Sequence, residues 1–599
     1  MVSKRRFFIL VMMMFVLLFM FQFTQVVKER GNTYDTNPFL QDKDTIQVAD
    51  VSKNTKKQIV FIGDREGKYG KVVSQWCNYT KRKMISFDSL EFCQSHQLEQ
   101  SELVVTYADM FSTDADLDEA IAYMKKEVSF VFCDLPEPST IAMSSRWRKI
   151  LGIKQVKSEN VTLSGVNLFD GFLLGGQAIY QPRDAKEKEE RQDLDWEIPW
   201  YLLESGSKSY MVGMMEDASV KNEELPAIVW RASVENAKVF AVNGDYMGDC
   251  TGVGFLDAMM AELHRYEIYP VVNAQNLSMA NFSAFANENE EKIKALYTRK
   301  SNAVFRDIIW PGLCANLEQS GSALTCFFSP QMKYDGKSEP ETEELIFYLK
   351  EMREKSAEAG ISLDCKDSIE IYEKLEKDAS YMKRAKSKYQ YGAVYLGEEE
   401  TESLSALSQC GFSSITTAVG GDLDENILSM ADGTTTLQSV TSNGISHTYR
   451  QDIRMKSLQT ALAYSNIVFD LKQVMWPEKK EDRWEVLFEK FTSNTNTYWK
   501  AFESFDKTTV SQADKKIRNL LAADYSDSCE GDTIYLHISG KSQGETIWFL
   551  LRTHNEEIDS TVGAEYKKVE DGAYLIGAKE EKVSIRLKSK DAFIYPLTP

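Results

Sequence analysis

Few side chains in this sequence have the type and spacing for chemistry. It carries five histidines, His96, His264, His447, His537 and His554, and none lie three or four residues apart. Two histidines four apart on one helical turn give zinc neighbouring nitrogen ligands, so a local two-histidine site is excluded. Nine cysteines run from Cys77 to Cys529 without a C-x-x-C pair, which fits neither a zinc cluster nor a disulfide framework. What remains is a set of polar residues closing apolar runs. The neutral ones are Asn273, Gln275, Asn276, Ser329, Gln331, Tyr395 and Asn443. They can hydrogen-bond sugar hydroxyls and acetamido groups, or merely cap strand ends. Asp364, His447 and Asp470 are the candidates for catalysis. Two carboxylates about 5–9.5 Å apart serve glycoside hydrolysis, which makes Asp364 with Asp470 one pairing. His447 oriented by Asp470 is another, as a base held by a carboxylate.

The elements that must position these residues centre on 266–331. Tyr266-Glu267-Ile268-Tyr269-Pro270-Val271-Val272-Asn273 reads as a strand ending in Asn273, Gln275 and Asn276. A helical stretch follows, ending in Phe305-Arg306-Asp307-Ile308-Ile309-Trp310-Pro311, and then a strand, Ala323-Leu324-Thr325-Cys326-Phe327-Phe328, closed by Ser329-Pro330-Gln331. Strand, helix, strand with polar carboxyl ends is the unit of a parallel α/β barrel, whose chemistry sits at those ends. Further strands are expected at 392–396, 414–418, 439–441 and 466–469. Helices are expected at 341–359, with an apolar stripe of Leu345, Leu349 and Met352, and at 484–502.

This arrangement resembles the NodB-type polysaccharide deacetylase barrel, and more narrowly the barrel of PelA-like proteins of bacterial exopolysaccharide clusters, over 266–506. The resemblance implies a divalent metal site with an Asp pair on the first barrel strand and an H-x-x-x-H pair after a later one, one Asp acting as base and a distant His as acid. Here the first motif falls on Asn273-Ala274-Gln275-Asn276, amides in place of carboxylates, and the second near 358–368, which holds no histidine. The barrel is therefore read as degenerate: no metal or other cofactor is expected, and metal-dependent deacetylation is not.

Around the barrel, Lys4-Arg5-Arg6 and the uncharged run 7–27 predict a single-pass transmembrane anchor over 1–30, with the N-terminus cytoplasmic and the bulk outside. Residues 31–57 read as a polar stalk. Alternating strands and helices over 58–265 predict a doubly wound parallel-sheet domain. Its closing phrases, Pro226-Ala227-Ile228-Val229-Trp230-Arg231 and Lys238-Val239-Phe240-Ala241-Val242-Asn243-Gly244-Asp245, resemble the end of glutamine-amidotransferase-like domains. Residues 507–528 form a linker, and 529–599 alternate as a small β-sandwich.

The predicted class is thus α/β: transmembrane helix, doubly wound domain, deacetylase-like barrel, sandwich. A net charge of −20 argues against a nucleic-acid partner and would suit a cationic amino-sugar polymer. The expected role is binding or guiding exopolysaccharide. The alternatives are an active carbohydrate enzyme with a rearranged site, or a structural partner of a membrane polysaccharide synthase.

Overall fold

A computed structural model describes residues 11–18, 35–51, 57–93, 95–217, 219–366, 369–397, 399, 401–542 and 544–590. Of the apolar run 7–27 only 11–18 is described, as helix; the rest of the expected anchor lies outside the described residues. Among the described residues no helix is long and apolar enough to cross a membrane. The class predicted with a transmembrane helix is corrected to a mixed α/β fold built on a half-barrel sheet.

The first sheet has nine strands, and only half of it is parallel. Lys83–Phe87, Gln58–Ile62, Leu103–Thr106, Phe130–Phe132 and Ala237–Val242 run parallel in that order. Ala227–Val234, Lys208–Met214, Gly165–Leu168 and Ala178–Tyr180 extend it antiparallel.

The half-barrel runs Leu428–Met430, Thr436–Gln438, Thr417–Val419, Ala393–Tyr395, Glu358–Ser362, Leu324–Phe328, Ala274–Phe282, Tyr464–Asp470. All neighbours are parallel except the first pair. Helices cover the outside, so a strand such as Leu324–Phe328 is buried at every residue and reads as a continuous apolar run. An isolated parallel bridge from Ser442 to Ile467 brings the two ends of the sheet together. The expected long helix before Leu324 is broken into Glu290–Tyr297, Ser301–Val304, a π-turn at Phe305–Ile309, and Trp310–Ser320. Pro311 has no N–H to return to the preceding turn, and the wider turn absorbs that loss.

Tyr266–Val271 does not open the barrel. It pairs antiparallel with Ile547–Thr553, Pro270 opposite Phe549, as an edge strand of the C-terminal sandwich. An edge tolerates a proline that cannot donate to the ladder. The barrel starts one strand later, at Ala274–Phe282. The expected linker also does structural work: its helix Val510–Ala522 closes the amino end of the barrel, where Asp514 accepts from Thr436 Oγ1 at 2.5 Å and Ser511 donates to Glu358. Residues 35–51 of the expected stalk lie along that same end. Asn37 Nδ2 donates to Gln390 O at 2.9 Å, and Ala49 N to Leu521 O at 2.9 Å.

The first domain and the barrel are packed closely. Helix Thr251–Ala261 is buried at every residue, between its own sheet and helix Tyr449–Leu462 of the barrel. Gly254 permits the approach: a Cβ there would stand 2.2 Å from Ser457 O.

Candidate functional site

The carboxyl rim of the half-barrel is organised by Asn281. The register between Ala274–Phe282 and Leu324–Phe328 shifts between Met279 and Phe282, and Asn281 takes a left-handed φ of 55°. Asparagine is among the few side-chain-bearing residues that accept this region readily, and such an irregularity re-aims a side chain at a strand end. Here it turns the amide into the rim, where all four of its hydrogen-bonding positions are used. Its oxygen accepts from Ser362 Oγ at 2.8 Å and Ser329 Oγ at 3.4 Å. Its nitrogen donates to Asp364 Oδ2 and Asp470 Oδ1, each at 2.8 Å.

The two carboxylates thus meet on one nitrogen, and their accepting oxygens lie no more than twice that length apart. Lys472 Nζ donates to both oxygens of Asp364, at 3.0 and 3.2 Å. Asp470 instead accepts the Lys472 backbone N–H at 2.8 Å. Burial, with the nearby charge of Asp364, raises the Asp470 carboxyl above its usual range against its hydrogen bonds. The Asp364 and Lys472 side chains keep 11% and 24% of their exposure, so the cluster reaches the surface through these two groups.

Beside it, Glu288 is buried and accepts from the backbone of Met332 at 2.8 Å and Lys333 at 2.7 Å. It pins the loop that carries Ser329 and Gln331. Burial pushes its carboxyl up to about 7 against those two bonds.

The predicted residues therefore divide. Asp364, Asp470 and Ser329 come together. Gln331 is buried in the pinned loop, and Tyr395 closes its strand on the same rim, its ring 5.7 Å from Phe327. Asn273, Gln275 and Asn276 stand at the amino end of their strand, fully buried, bonded to Asp506, Phe502 O and Gln438, because the barrel opens one strand later than 266–273. Asn443 accepts from Ile445 and Ser446 N–H and shapes a turn. His447 does not pair with Asp470: its Nε2 lies 3.4 Å from Asp452, on the helix that begins two residues later. Asn281, Ser362, Lys472 and Glu288 were not anticipated. The phrase Ala280-Asn281-Phe282-Ser283 holds the signal, a polar break after an apolar strand, but it lies beyond the strand 266–273 expected to open the barrel.

The donor set does not suit a divalent metal. Asn281 turns N–H groups, not its oxygen, toward both carboxylates, and an ammonium already neutralises Asp364. A second acidic group, Asp249, Cys250 and Asp424, places ligand atoms within 4.8 Å of one another. Arg454 bridges its two carboxylates at 2.8 and 3.1 Å, so it is an ionic joint between first domain and barrel.

No protein-family model matches the chain, and no curated protein does. Among solved structures, the chain is similar to the carbohydrate deacetylase Agd3, at 9% identity and a TM-score of 0.52, over 89% of this chain and 99% of that one. The fold is carbohydrate-deacetylase-like. A structure described as a polysaccharide deacetylase from Mycobacterium smegmatis aligns with 41% of this chain and 90% of its own, at 9% identity and a TM-score of 0.28. A ThuA-like protein from Bacteroides uniformis aligns with 36% of this chain and 95% of its own, at 12% identity and 0.23. Those two scores are too low to carry an argument. Identity this low makes the likeness to Agd3 one of fold.

Proposed function

We propose that the carboxyl rim of the half-barrel binds a polysaccharide without metal-dependent deacetylation. One observation carries the reading: the rim's two carboxylates are tied to an amide and an ammonium, an array of fixed donors and acceptors suited to hydroxyl and acetamido groups. Ser362, Ser329 and Glu288 hold that array in place. Immobilised hexosamine polymer should retain the wild-type chain, and Asp364→Asn with Lys472→Met should weaken retention at least about tenfold, or about 1.4 kcal/mol. Equal retention of the variant would remove the rim from the binding site.

A second reading, glycoside hydrolysis, rests on Asp364 and Asp470 meeting on one nitrogen, an upper bound on their separation that is compatible with the spacing of about 5–5.5 Å in retaining glycosidases. The raised Asp470 would be the acid and the lysine-paired Asp364 the nucleophile. Reducing ends released from a hexosamine oligomer by wild type, and lost in Asp470→Asn, would establish it. Free acetate without chain cleavage would instead restore deacetylation and overturn both readings.

A further inference from the structure

Behind the rim lies an ion pair on a helix face that is otherwise apolar. Lys374 and Asp378 share the inner face of helix Ile371–Arg384 with Leu375, Tyr381 and Met382, and their side chains are each 1% exposed. A spacing of four brings them together, and Lys374 Nζ donates to Asp378 Oδ2 at 2.7 Å. Such a pair is a poor source of stability: desolvation offsets the attraction, and apolar residues of similar volume often fold as well or better. What the pair touches gives it a different role.

Lys374 Nζ also donates to Ser362 O at 2.8 Å. Ser362 closes the strand Glu358–Ser362 and works in two directions: its hydroxyl donates to Asn281 Oδ1 at 2.8 Å and accepts the Asp364 N–H at 3.2 Å. The ammonium therefore grips the peptide that leads from Ser362 toward Asp364. Asp378 carries the hold across to the neighbouring loop. Its Oδ1 accepts from Tyr334 OH at 2.7 Å, and the Tyr334 ring centroid lies 5.6 Å from Lys374 Nζ. Tyr334 directly follows Met332 and Lys333, whose N–H groups Glu288 takes, and Met332 O accepts from the Lys366 N–H at 2.9 Å. The loop bearing Ser329 and the segment bearing Asp364 are thus joined at two points. Because the pair carries one charge of each sign, its effect on the rim is one of geometry, not of net charge.

We propose that Lys374 is a positioning residue for the rim: through Ser362 it sets the place of Asn281 and Asp364, and through Asp378 and Tyr334 it locks the loop bearing Ser329 to them. The inference rests on the rim being the polysaccharide site proposed above.

The test replaces the clamp by apolar groups in the full chain. Tyr334→Phe with Lys374→Met and Asp378→Leu removes one charge of each sign, and with them the hydroxyl that would lose its acceptor. The melting temperature should stay at or above the wild-type value. Retention on immobilised hexosamine polymer should nevertheless weaken about fivefold, the worth of one hydrogen bond. The Asn281 side-chain amide gives a readout that a purely structural role would not move. With asparagine nitrogen isotope-labelled, its resonances are assigned by their loss in Asn281→Ala, and they should shift in the triple variant with no ligand present. An unmoved Asn281 amide, or retention equal to wild type, in the folded triple variant would overturn the proposal. Tyr334→Phe alone keeps the ion pair and serves if the triple variant does not fold: retention should weaken about twofold and the amide should shift, and no change in either would overturn the proposal. Failure of the wild type to bind the polymer would overturn the rim reading and this one together. Retention lost in Asp364→Asn with Lys472→Met but kept in the triple variant would overturn this one alone.

Discussion

The two ends of one strand use the same residue types for opposite purposes. At the amino end of Ala274–Phe282, Asn273 takes a left-handed φ of 61° and exchanges two hydrogen bonds with Asp506, which Lys516 and Lys567 hold at 2.7 and 3.0 Å. At the carboxyl end, Asn281 takes φ 55° and serves two aspartates, of which Asp364 alone pairs with the ammonium of Lys472. One carboxylate with two cations is saturated: burial works against Asp506, yet the lysines keep it below its usual range. Two carboxylates with one cation are not, and Asp470 is raised. A cleft of about 1060 Å³ does open at the amino end, but the Lys516, Lys567 and Asp506 that line it are already spent on one another. Unbalanced charge, more than open volume, marks where a ligand is needed.

Asn273→Ala should be the costliest change, about 2–4 kcal/mol from lost buried bonds and left-handed backbone, read in denaturant unfolding. Polymer retention by the folded fraction should stay intact. Asn281→Ala should do the reverse in kind, lowering retention at least about tenfold with a smaller loss of stability. If Asn273→Ala abolished retention while Asn281→Ala spared it, the two ends would have been read the wrong way round.

Gly254→Ala tests the rigid seating of the first domain on the barrel. It should cost about 1–3 kcal/mol by overpacking against Ser457, and an unchanged melting temperature would mean that the helices separate in solution.

Glu288 gives a pH test of the rim alone. Its folded value of about 7 lies above the ordinary 4.5, so protonation favours the fold. The stability it confers is complete below 4.5 and is lost as pH rises through 7. Glu288→Gln should flatten that slope, since the variant does not titrate there, while its amide can accept only one of the two backbone N–H groups that Glu288 takes. A slope unchanged in the variant would move the titration elsewhere.

The smallest signal should come from titration calorimetry with zinc or cobalt, where no tight one-to-one isotherm is expected. Tight binding abolished by Asp364→Asn would erase the distinction drawn between the rim and a metal centre.

The barrel pattern was legible because a parallel strand covered on both faces is largely apolar, and Leu324–Phe328 and the Ile467-Val468-Phe469 stretch of Tyr464–Asp470 stand out for that reason. So were the alternating sandwich strands and the absence of a histidine pair. Asp364 and Asp470 were legible as polar stops on strands and as one carboxylate pairing, though not the amide of Asn281 that holds them together. Local pattern could not say which sheet Tyr266–Val271 joins. An apolar strand fits a sandwich edge as well as a barrel, and only the pairing with Ile547–Thr553, far along the chain, decides it. With Tyr266–Val271 in the sandwich, the rim position falls to Asn281 and not to Asn273. His447 found Asp452 within five residues, where helix geometry outcompetes a distant carboxylate. Residue type and burial pattern therefore determined which groups the chain has to offer and which segments are strands. Tertiary structure decided which end of a strand each group occupies and how many cations meet it, because register and long-range pairing are set by contacts that no local stretch contains.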